Sequence, residues 1–137
     1  MINNASMPSS TIIPELAYTD VGKAVEWLTT AFGFRERLRI GDDRAQLSFG
    51  SGHLIVIQGP EPTGATHRVI ARVADVDAHH SQSKQSGAQI LREPETFPYG
   101  ERQYRVSDLG GHVWVFSQSV ADVDPSTWGG VVSELAA

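Results

Sequence analysis

The spacing of apolar residues near the start of the chain changes from a strand-like to a helical period. Residues 11–18 are rich in apolar and β-branched side chains, which predicts a first strand. Across residues 20–32 the apolar side chains recur every three or four positions, which predicts an amphipathic helix of about three turns. Either Thr19 or Asp20 is the predicted N-cap, and Gly33 is the predicted end of the helix.

Three short apolar runs follow the helix and predict an antiparallel meander. They cover residues 34–40, 45–49 and 53–58. Glycine-containing turns at 41–43 and 50–52 separate them. The first part of the chain therefore reads as strand, helix and three strands.

The second half of the chain repeats this order of elements. A segment rich in Gly, Pro and Thr at residues 59–66 is predicted to be a linker. Residues 18–21 then match residues 73–76, and residues 52–56 match residues 111–115. The predicted elements of this half are a strand at 67–73, a helix from Asp75 to Gly87, and strands near 88–92, 102–107 and 112–118.

The repeat predicts an α+β fold built from two βαβββ units. One such unit has a single helix and cannot bury both faces of its sheet, so duplication offers a partner for the face that the helix leaves open. We therefore expect a curved mixed sheet around a cleft. The C-terminal residues are apolar enough to pack on the modules or on a second subunit. The predicted divisions are a flexible tail at 1–10, a first module at 11–58, a linker at 59–66, a second module at 67–118 and a C-terminal tail at 119–137.

Composition and charge exclude several classes of function. The 137 residues include no cysteine, which excludes disulfides, thiolate metal sites and cysteine nucleophiles. The net charge is −5 and the 11 Lys and Arg residues are scattered, so there is no basic patch for nucleic acid. No apolar run reaches the ~18 residues of a membrane helix, and residues 1–10 lack the features of a secretory signal. We therefore expect a cytoplasmic protein with no nucleic-acid or membrane partner.

Three motifs occur in a fixed order around the predicted elements. The first helix ends in AFGF at 31–34, and the second module carries PYGERQY at 98–104 and DLGGHVW at 108–114. In this order they resemble the vicinal oxygen chelate superfamily, which includes glyoxalase I, extradiol dioxygenases, fosfomycin-resistance enzymes and bleomycin-resistance proteins. The resemblance covers residues 11–118. It implies the glyoxalase/bleomycin resistance fold, a cleft for a small-molecule ligand and assembly as a homodimer.

The resemblance also implies where the metal ligands of the superfamily would lie. Two valines and an arginine occupy three of the implied positions, and they supply no ligand for a divalent ion. We therefore expect no metal site and no cofactor, which places the chain nearest the metal-free bleomycin-resistance-like or PhnB-like branch. His67 is adjacent to one position, so a shift of the alignment by one residue would make it a ligand; without that shift, strand alternation directs it to the opposite face. The implied positions are Ile13, or Glu15 in the demethylubiquinone-like and PhnB-like branch, together with Arg68, Val56 and Val115.

Strand alternation, with its register taken from the resemblance, predicts the side chains that line the cleft. Leu54, Val56 and Gln58 are predicted to face it, whereas Trp114 and Phe116 are predicted to face the core. Amides, hydroxyls, arginines and one carboxylate make a lining that suits a polar or anionic organic ligand. The predicted ligand-binding residues are Glu15, Arg44, Gln46, Ser48, Gln58, Arg68, Arg72, Gln103, Arg105, Val113, Val115 and Ser117.

Several of these and other residues have a structural interpretation as well as a functional one. Each cleft arginine has the alternative of a structural salt bridge with a nearby carboxylate. His79 and His80 are predicted to be exposed on the second helix. Tyr99 is predicted in a loop at the cleft mouth, and Trp128 is predicted either to pack or to cover the cleft.

These observations favour a metal-free protein that binds a small organic molecule, for example to sequester an antibiotic. The alternative is a metal-dependent lyase, isomerase or dioxygenase of the same superfamily with a non-standard ligand set. No catalytic residue is assigned because nucleophile motifs are absent, and Glu15 is the one candidate acid or base. A third interpretation is a scaffold module that has no ligand.

Overall fold

Each half of the chain folds into one βαβββ module. The computed structural model describes residues 2–62 and 67–132. Within these ranges no helix has the length and apolar character that crossing a membrane requires. The first module contains β1 (Glu15–Tyr18), α1 (Val21–Trp27), β2 (Arg35–Ile40), β3 (Arg44–Phe49) and β4 (Gly52–Gln58). The second contains β5 (Val69–Arg72), α2 (Val76–Gln85), β6 (Gln89–Thr96), β7 (Glu101–Ser107) and β8 (Val113–Ser119), and a 3-10 turn follows at Pro125–Trp128.

Both helices begin at an aspartate that the sequence marks as a cap. The Asp20 side chain accepts a hydrogen bond of 3.0 Å from the backbone N–H of Lys23, so Asp20, and not Thr19, is the N-cap of α1. Asp75 caps α2 in the same way. After α1 the chain continues as a π-helical turn, Leu28–Phe32, which ends at Gly33 with a φ of 88°.

The strands differ from prediction at their ends. β1 begins only at Glu15, directly after Pro14, which has no backbone N–H to donate to a neighbouring strand. β6 continues to Thr96, beyond its predicted end. The predicted linker includes residues 63–66 and the predicted C-terminal tail includes residues 133–137, and both segments lie outside the described residues.

Each module forms a four-stranded mixed sheet. The strand order is β1-β4-β3-β2 in the N-terminal sheet and β5-β8-β7-β6 in the C-terminal sheet. The β1–β4 and β5–β8 pairs are parallel, and the remaining pairs are antiparallel. One face of each sheet is covered by the helix of its module, and the other is called its open face below. The predicted α+β fold of two βαβββ units is confirmed.

The two modules share one hydrophobic core through their helix-covered faces. Phe32 packs edge-on against Phe116 with ring centroids 4.9 Å apart, and Phe34 packs in the same manner against Trp114 at 5.4 Å. The open faces therefore point away from each other within one chain, and Ile70 on the second of them is 64% exposed. The sequence leaves open whether the clefts lie within one chain or between two chains. In the structure the open faces do not meet within one chain, because the large aromatic side chains lie on the opposite faces and are buried by joining them.

His79 of α2 connects the two modules. Its Nε2 lies 2.7 Å from the carbonyl oxygen of Phe32 and therefore carries the donated proton, which leaves Nδ1 to accept a hydrogen bond of 2.6 Å from the Tyr104 hydroxyl. That hydroxyl also lies 2.7 Å from Ser83 Oγ. Burial lowers the pKa of His79 and raises the pKa of Tyr104 to about 12. The prediction that His79 and His80 are exposed is wrong, because both side chains are turned toward β6 and β7.

Asp108 makes a second connection, at the turn between β7 and β8. Its Oδ1 accepts hydrogen bonds of 2.9 Å from the backbone N–H groups of Gly110 and His112, which fixes the turn. Its Oδ2 accepts one of 2.6 Å from the Tyr18 hydroxyl of the first module and one of 3.0 Å from Trp114 Nε1. This buried carboxylate is therefore fully hydrogen-bonded, as a charged group in a core must be.

Candidate ligand-binding site on the open faces

The turn between β7 and β8 is one residue longer than the turn between β3 and β4. Gln46 pairs with Ile55, nine positions later, whereas Arg105 pairs with Val115, ten positions later. A sequence match that aligns the two glycine turns misses this extra residue. It pairs Val115 with Val56, whereas the structural counterpart of Val115 is Ile55.

Three predicted cleft residues are consequently on the wrong side of their strand. Leu54 and Val56 are buried in the common core, and Gln58 lies at the strand end in phase with them. Ile55 and Ile57 take their places on the open face. The prediction for these three residues is wrong because a shift of one residue moves every side chain of a strand to the other face.

Four predicted residues lie on the open face of the N-terminal sheet: Glu15, Arg44, Gln46 and Ser48. Glu15 and Gln46 are in register with Ile55, and Arg44 is in register with Ile57. Ser48 lies two positions after Gln46 on the same strand and therefore faces the same way. Arg44 Nη2 donates a hydrogen bond of 3.1 Å to Glu15 Oε2. The two side chains are 43% and 46% exposed. Arg44 thus forms the structural salt bridge, and Glu15 lies half-exposed beside its guanidinium group.

The N-terminal segment, expected from its sequence to be a polar tail, contacts this same open face. Gln46 is 2% exposed, and its Nε2 donates a hydrogen bond of 2.8 Å to the carbonyl oxygen of Ser6. Arg37 donates to Gln46 Oε1 at 2.5 Å and to the carbonyl oxygen of Ala5 at 2.8 Å. The Gln46 amide is therefore satisfied within the chain and does not offer a free group to a ligand.

The open face of the C-terminal sheet carries a hollow of about 300 Å³. Four predicted residues line it: Arg68, Gln103, Arg105 and Val115. Ser117 and Arg72 are in register beside it, and Val113 alternates with Val115 on the same face. Three residues that the sequence analysis did not assign to the site, Arg92, Phe97 and Tyr104, line it as well.

Polar side chains form a chain of hydrogen bonds along this face. The Tyr99 hydroxyl donates to Gln103 Oε1 at 3.3 Å, and Gln103 Nε2 donates to Ser117 Oγ at 3.1 Å. The Ser117 hydroxyl donates in turn to Glu101 Oε1 at 2.7 Å. The amide and hydroxyl groups are thereby fixed in position and present a defined polar surface.

The arginines of this face differ in their partners. Arg92 pairs with Glu95 at 2.7 Å, and its Cζ lies 4.9 Å from the centroid of the Phe97 ring. Neither Arg68 nor Arg105 forms an ion pair with any residue in the described part of the chain. Arg105 Nε is moreover buried without a hydrogen-bond partner among those residues. Two guanidinium groups therefore face the hollow with unused capacity for an anion.

A larger groove of about 590 Å³ lies between the two modules. Its walls are mainly apolar and aromatic, with Phe34, Phe49 and Trp114 among them. Of the residues predicted to bind a ligand, the groove is lined by Arg72 alone. Most of the predicted polar and charged side chains of the C-terminal sheet lie around the smaller hollow, and we therefore place the candidate site there.

The family comparison matches most of the chain. Residues 12–116 match the model of the Glyoxalase/Bleomycin resistance protein/Dioxygenase superfamily. The chain belongs to this superfamily. A search of curated protein sequences found no match.

Solved structures of the superfamily share the fold. TioX from Micromonospora sp. ML1 is 40% identical, with 84% of this chain and 100% of that chain covered and a TM-score of 0.69. A glyoxalase/bleomycin resistance protein/dioxygenase from Alicyclobacillus acidocaldarius is 15% identical, covering 84% and 95% of the two chains, with a TM-score of 0.68. The fosfomycin resistance protein FosX from Listeria monocytogenes is also 15% identical, covering 82% and 94%, with a TM-score of 0.68.

The residues at the metal positions of the superfamily do not fit a divalent ion. Val56 is turned into the core, and Ile55, the structural counterpart of Val115, is aliphatic as well. Val115 and Arg68 line the hollow without a neutral nitrogen or an oxygen donor. Glu15, the one carboxylate among the implied positions, is paired with Arg44. His67 lines a different small hollow, with Leu16 and His112. Across residues 2–62 and 67–132 no three His, Asp or Glu side chains lie close enough together to hold an ion.

Proposed function

We propose that this member of the superfamily binds a small polar or anionic organic molecule on the open face of its C-terminal sheet. The observation that supports this most is the pair Arg68 and Arg105, whose guanidinium groups face the hollow and lack an ion pair within the described residues. Arg68 is exposed, whereas Arg105 is partly buried and its Nε is buried without a hydrogen-bond partner among the described residues. A guanidinium group in such surroundings is normally paired with a carboxylate or phosphate group. A bound anion supplies the missing partner.

The function is binding, and no catalytic step is assigned to it. The one candidate acid or base, Glu15, is exposed and paired with Arg44 on the other sheet. The side chains at the superfamily's metal positions do not fit a Lewis acid either. Sequestration of an antibiotic or of another organic anion is the form of this function that the bleomycin-resistance relatives suggest.

We also propose that the complete site forms between two copies of the chain. The open faces point in opposite directions within one chain, so each provides only one wall of a cleft. β1 and β5 are the edge strands next to these walls, and the nearby Ile12 and Ile70 are 82% and 64% exposed. A homodimer in which the N-terminal open face of one copy meets the C-terminal open face of the other covers these side chains and encloses the hollow.

A thermal-shift screen tests the binding proposal. Organic anions, neutral molecules and cations of matched size are added to the wild type, to Arg105→Gln and to Arg39→Gln. Arg39→Gln is the control for charge, because Arg39 pairs with Glu36 on β2, away from the hollow. A ligand present at 100 times its dissociation constant stabilises the folded state by about 2.7 kcal/mol, which raises Tm by about 8 °C for a chain of this size.

We expect organic anions to raise Tm of the wild type and of Arg39→Gln but not of Arg105→Gln. Elemental analysis after incubation with Mn²⁺, Fe²⁺, Ni²⁺ and Zn²⁺ and desalting completes the test. Retention of one ion per chain together with no response to any organic anion would contradict the proposal and favour a metalloenzyme.

A further inference from the structure

We infer that residues 4–10 form a strap that covers the hollow of a second copy of the chain, so that each ligand-binding site includes the partner's strap. The inference rests on the proposed function and on the homodimer proposed with it, and it names the segment that completes the site. The strap precedes β1 and lies on the open face of the N-terminal sheet. In the proposed homodimer this is the face that meets the hollow.

Two side chains of the N-terminal sheet hold the start of the strap. The carbonyl oxygens of Ala5 and Ser6 each accept a hydrogen bond of 2.8 Å, the first from Arg37 Nη2 and the second from Gln46 Nε2. Arg37 is the extra residue of a β-bulge on β2 opposite Gln46, and the bulge directs its side chain toward the strap. The strap is therefore bound through its backbone.

The remainder of the strap is also held by specific contacts. Asn4 closes a turn, since its carbonyl oxygen accepts a hydrogen bond of 3.2 Å from the Met7 N–H. Pro8 is buried, and Ser10 Oγ hydrogen-bonds His53 Nδ1 at the end of the strap. A segment fixed in this way loses little conformational entropy when a second copy packs on it.

The internal repeat indicates which part of the hollow the strap faces. Gln46 pairs with Ile55 and Arg105 pairs with Val115, so Gln46 and Arg105 hold equivalent places on the two open faces. The strap covers Gln46, which is 2% exposed, whereas Arg105 lines the hollow. We expect equivalent strands to lie opposite each other in a cleft built from these two faces. This arrangement places the strap of one copy over the partner's Arg105.

The strap is uncharged, which keeps the arginines of the hollow available to an anion. Residues 2–13 contain no Asp, Glu, Lys or Arg, so the strap offers no carboxylate to Arg68 or Arg105. It offers backbone groups, small polar side chains and the flexible thioether of Met7, which is 44% exposed. The strap therefore excludes water and contacts the uncharged part of the ligand, while the anionic group pairs with the guanidinium groups.

Exposed apolar side chains on both sides of the contact favour a second copy as the occupant of the hollow. Met7 on the strap is 44% exposed, and Ile70, which lines the hollow, is 64% exposed. Each copy carries both halves of this contact, so a two-fold dimer forms it twice and covers all four side chains.

Cysteine cross-linking tests where the strap lies. The chain contains no cysteine, so a single introduced thiol reacts at one place only. Met7→Cys is mixed with size-tagged Ile70→Cys, the subunits are allowed to exchange, and a short bismaleimide is added. The matched control replaces Ile70→Cys by Gln85→Cys, at an exposed position of α2. We expect a cross-linked pair of unlike chains with Ile70→Cys and none with Gln85→Cys.

Deletion of residues 2–8 tests the contribution of the strap to the dimer. Analytical ultracentrifugation is expected to show a dimer dissociation constant at least about tenfold higher, because the contact of Met7 with the second copy is lost. Deletion of residues 2–3 alone is the control and is expected to change this constant by no more than about twofold. Thermal melting confirms that both shortened chains are folded.

Each contrary result has a defined meaning. If dimers form but Met7→Cys cross-links no better to Ile70→Cys than to Gln85→Cys, or if deletion of residues 2–8 leaves the dimer unchanged, the inference is overturned. The proposed binding of an anion survives either result as long as organic anions stabilise the wild type and not Arg105→Gln. If the protein is monomeric, the inference and the proposed homodimer are both overturned. If no organic anion stabilises the protein, the proposed function is overturned, and the role of the strap in a ligand site is overturned with it even where the cross-link forms.

Discussion

Replacing His79 is expected to loosen the contact between the two modules. The imidazole joins the Phe32 carbonyl oxygen, at the end of the first helix, to the Tyr104 hydroxyl of the C-terminal sheet, at 2.7 and 2.6 Å. Its ring also lies 4.0 Å from the Phe116 ring, measured between centroids. His79 therefore hydrogen-bonds the helix end of one module to the sheet of the other, and Ser83 makes a weaker bond of the same kind, from its hydroxyl to the Ala31 carbonyl oxygen at 3.4 Å.

The magnitude follows from these contacts. Each hydrogen bond contributes about 1 kcal/mol to stability, so His79→Phe, which keeps an aromatic ring of similar size, is expected to lose about 2 kcal/mol. His79→Ala also removes the ring from Phe116 and leaves a cavity, which raises the expected loss to about 4 kcal/mol. Set against a typical stability of about 5–15 kcal/mol for a domain, either loss is readily measured.

Urea denaturation at pH 7.5 followed by circular dichroism measures the free energy of unfolding of each variant. Gln85→Ala, at an exposed position of the same helix, is the control and is expected to change stability by less than about 0.5 kcal/mol. A double-mutant cycle with Tyr104→Phe isolates the bond between the two side chains. If His79→Phe is as stable as the wild type, the hydrogen bonds at this residue do not hold the modules together and the reasoning is refuted.

Three further predictions concern the same framework. Burial lowers the pKa of His79 in the folded chain, so between this lowered pKa and the ordinary value of 6.5 the unfolded chain binds more protons than the folded one. The free energy of unfolding is therefore expected to fall as the pH drops below 6.5. Urea titrations from pH 7.5 to 5 should show this decline in the wild type and a smaller one in His79→Phe. Asp108→Ala leaves the Trp114 indole N–H and two backbone N–H groups without their acceptor and is expected to cost about 3–5 kcal/mol by chemical denaturation, whereas an unchanged midpoint would show that water replaces the carboxylate. Gly100→Ala is expected to lower Tm and to weaken ligand binding, because Gly100 has a φ of 83° and an added Cβ would run into the Ala121 carbonyl oxygen. Wild-type values of both Tm and ligand affinity would contradict this expectation.

The order of elements was predictable because it depends on local patterns. Helical spacing with an aspartate cap and a terminal glycine determined both helices, and the internal repeat determined the fold class. The facing of β8 was also predictable, since Trp114 and Phe116 are in the core as expected. These features need only the period of a segment and its nearest neighbours along the chain.

The packing of the modules and part of the site were not predictable, because they depend on single-residue spacing and long-range contacts. One additional residue in the turn held by Asp108 shifts the register of the second module relative to the first. The sequence match did not include this residue and therefore placed Val56 in the predicted cleft, whereas Val56 lies in the core. His79 looked exposed because its partners, Phe32 and Tyr104, are distant in sequence. The PYG motif was the available signal for the loop beside the hollow, but the motif alone does not show that Phe97 and Tyr99 stack on each other next to Arg68 and Arg105.

A crystal structure of the protein with an organic anion that raises Tm in the thermal-shift screen tests the proposed site most directly, since it decides between the two cavities. We expect the anionic group of the ligand within hydrogen-bonding distance of Arg105 or Arg68, in the hollow of about 300 Å³ and with a second copy of the chain enclosing it. A ligand bound instead in the apolar groove of about 590 Å³ beside Trp114, with both arginines free, would contradict the account.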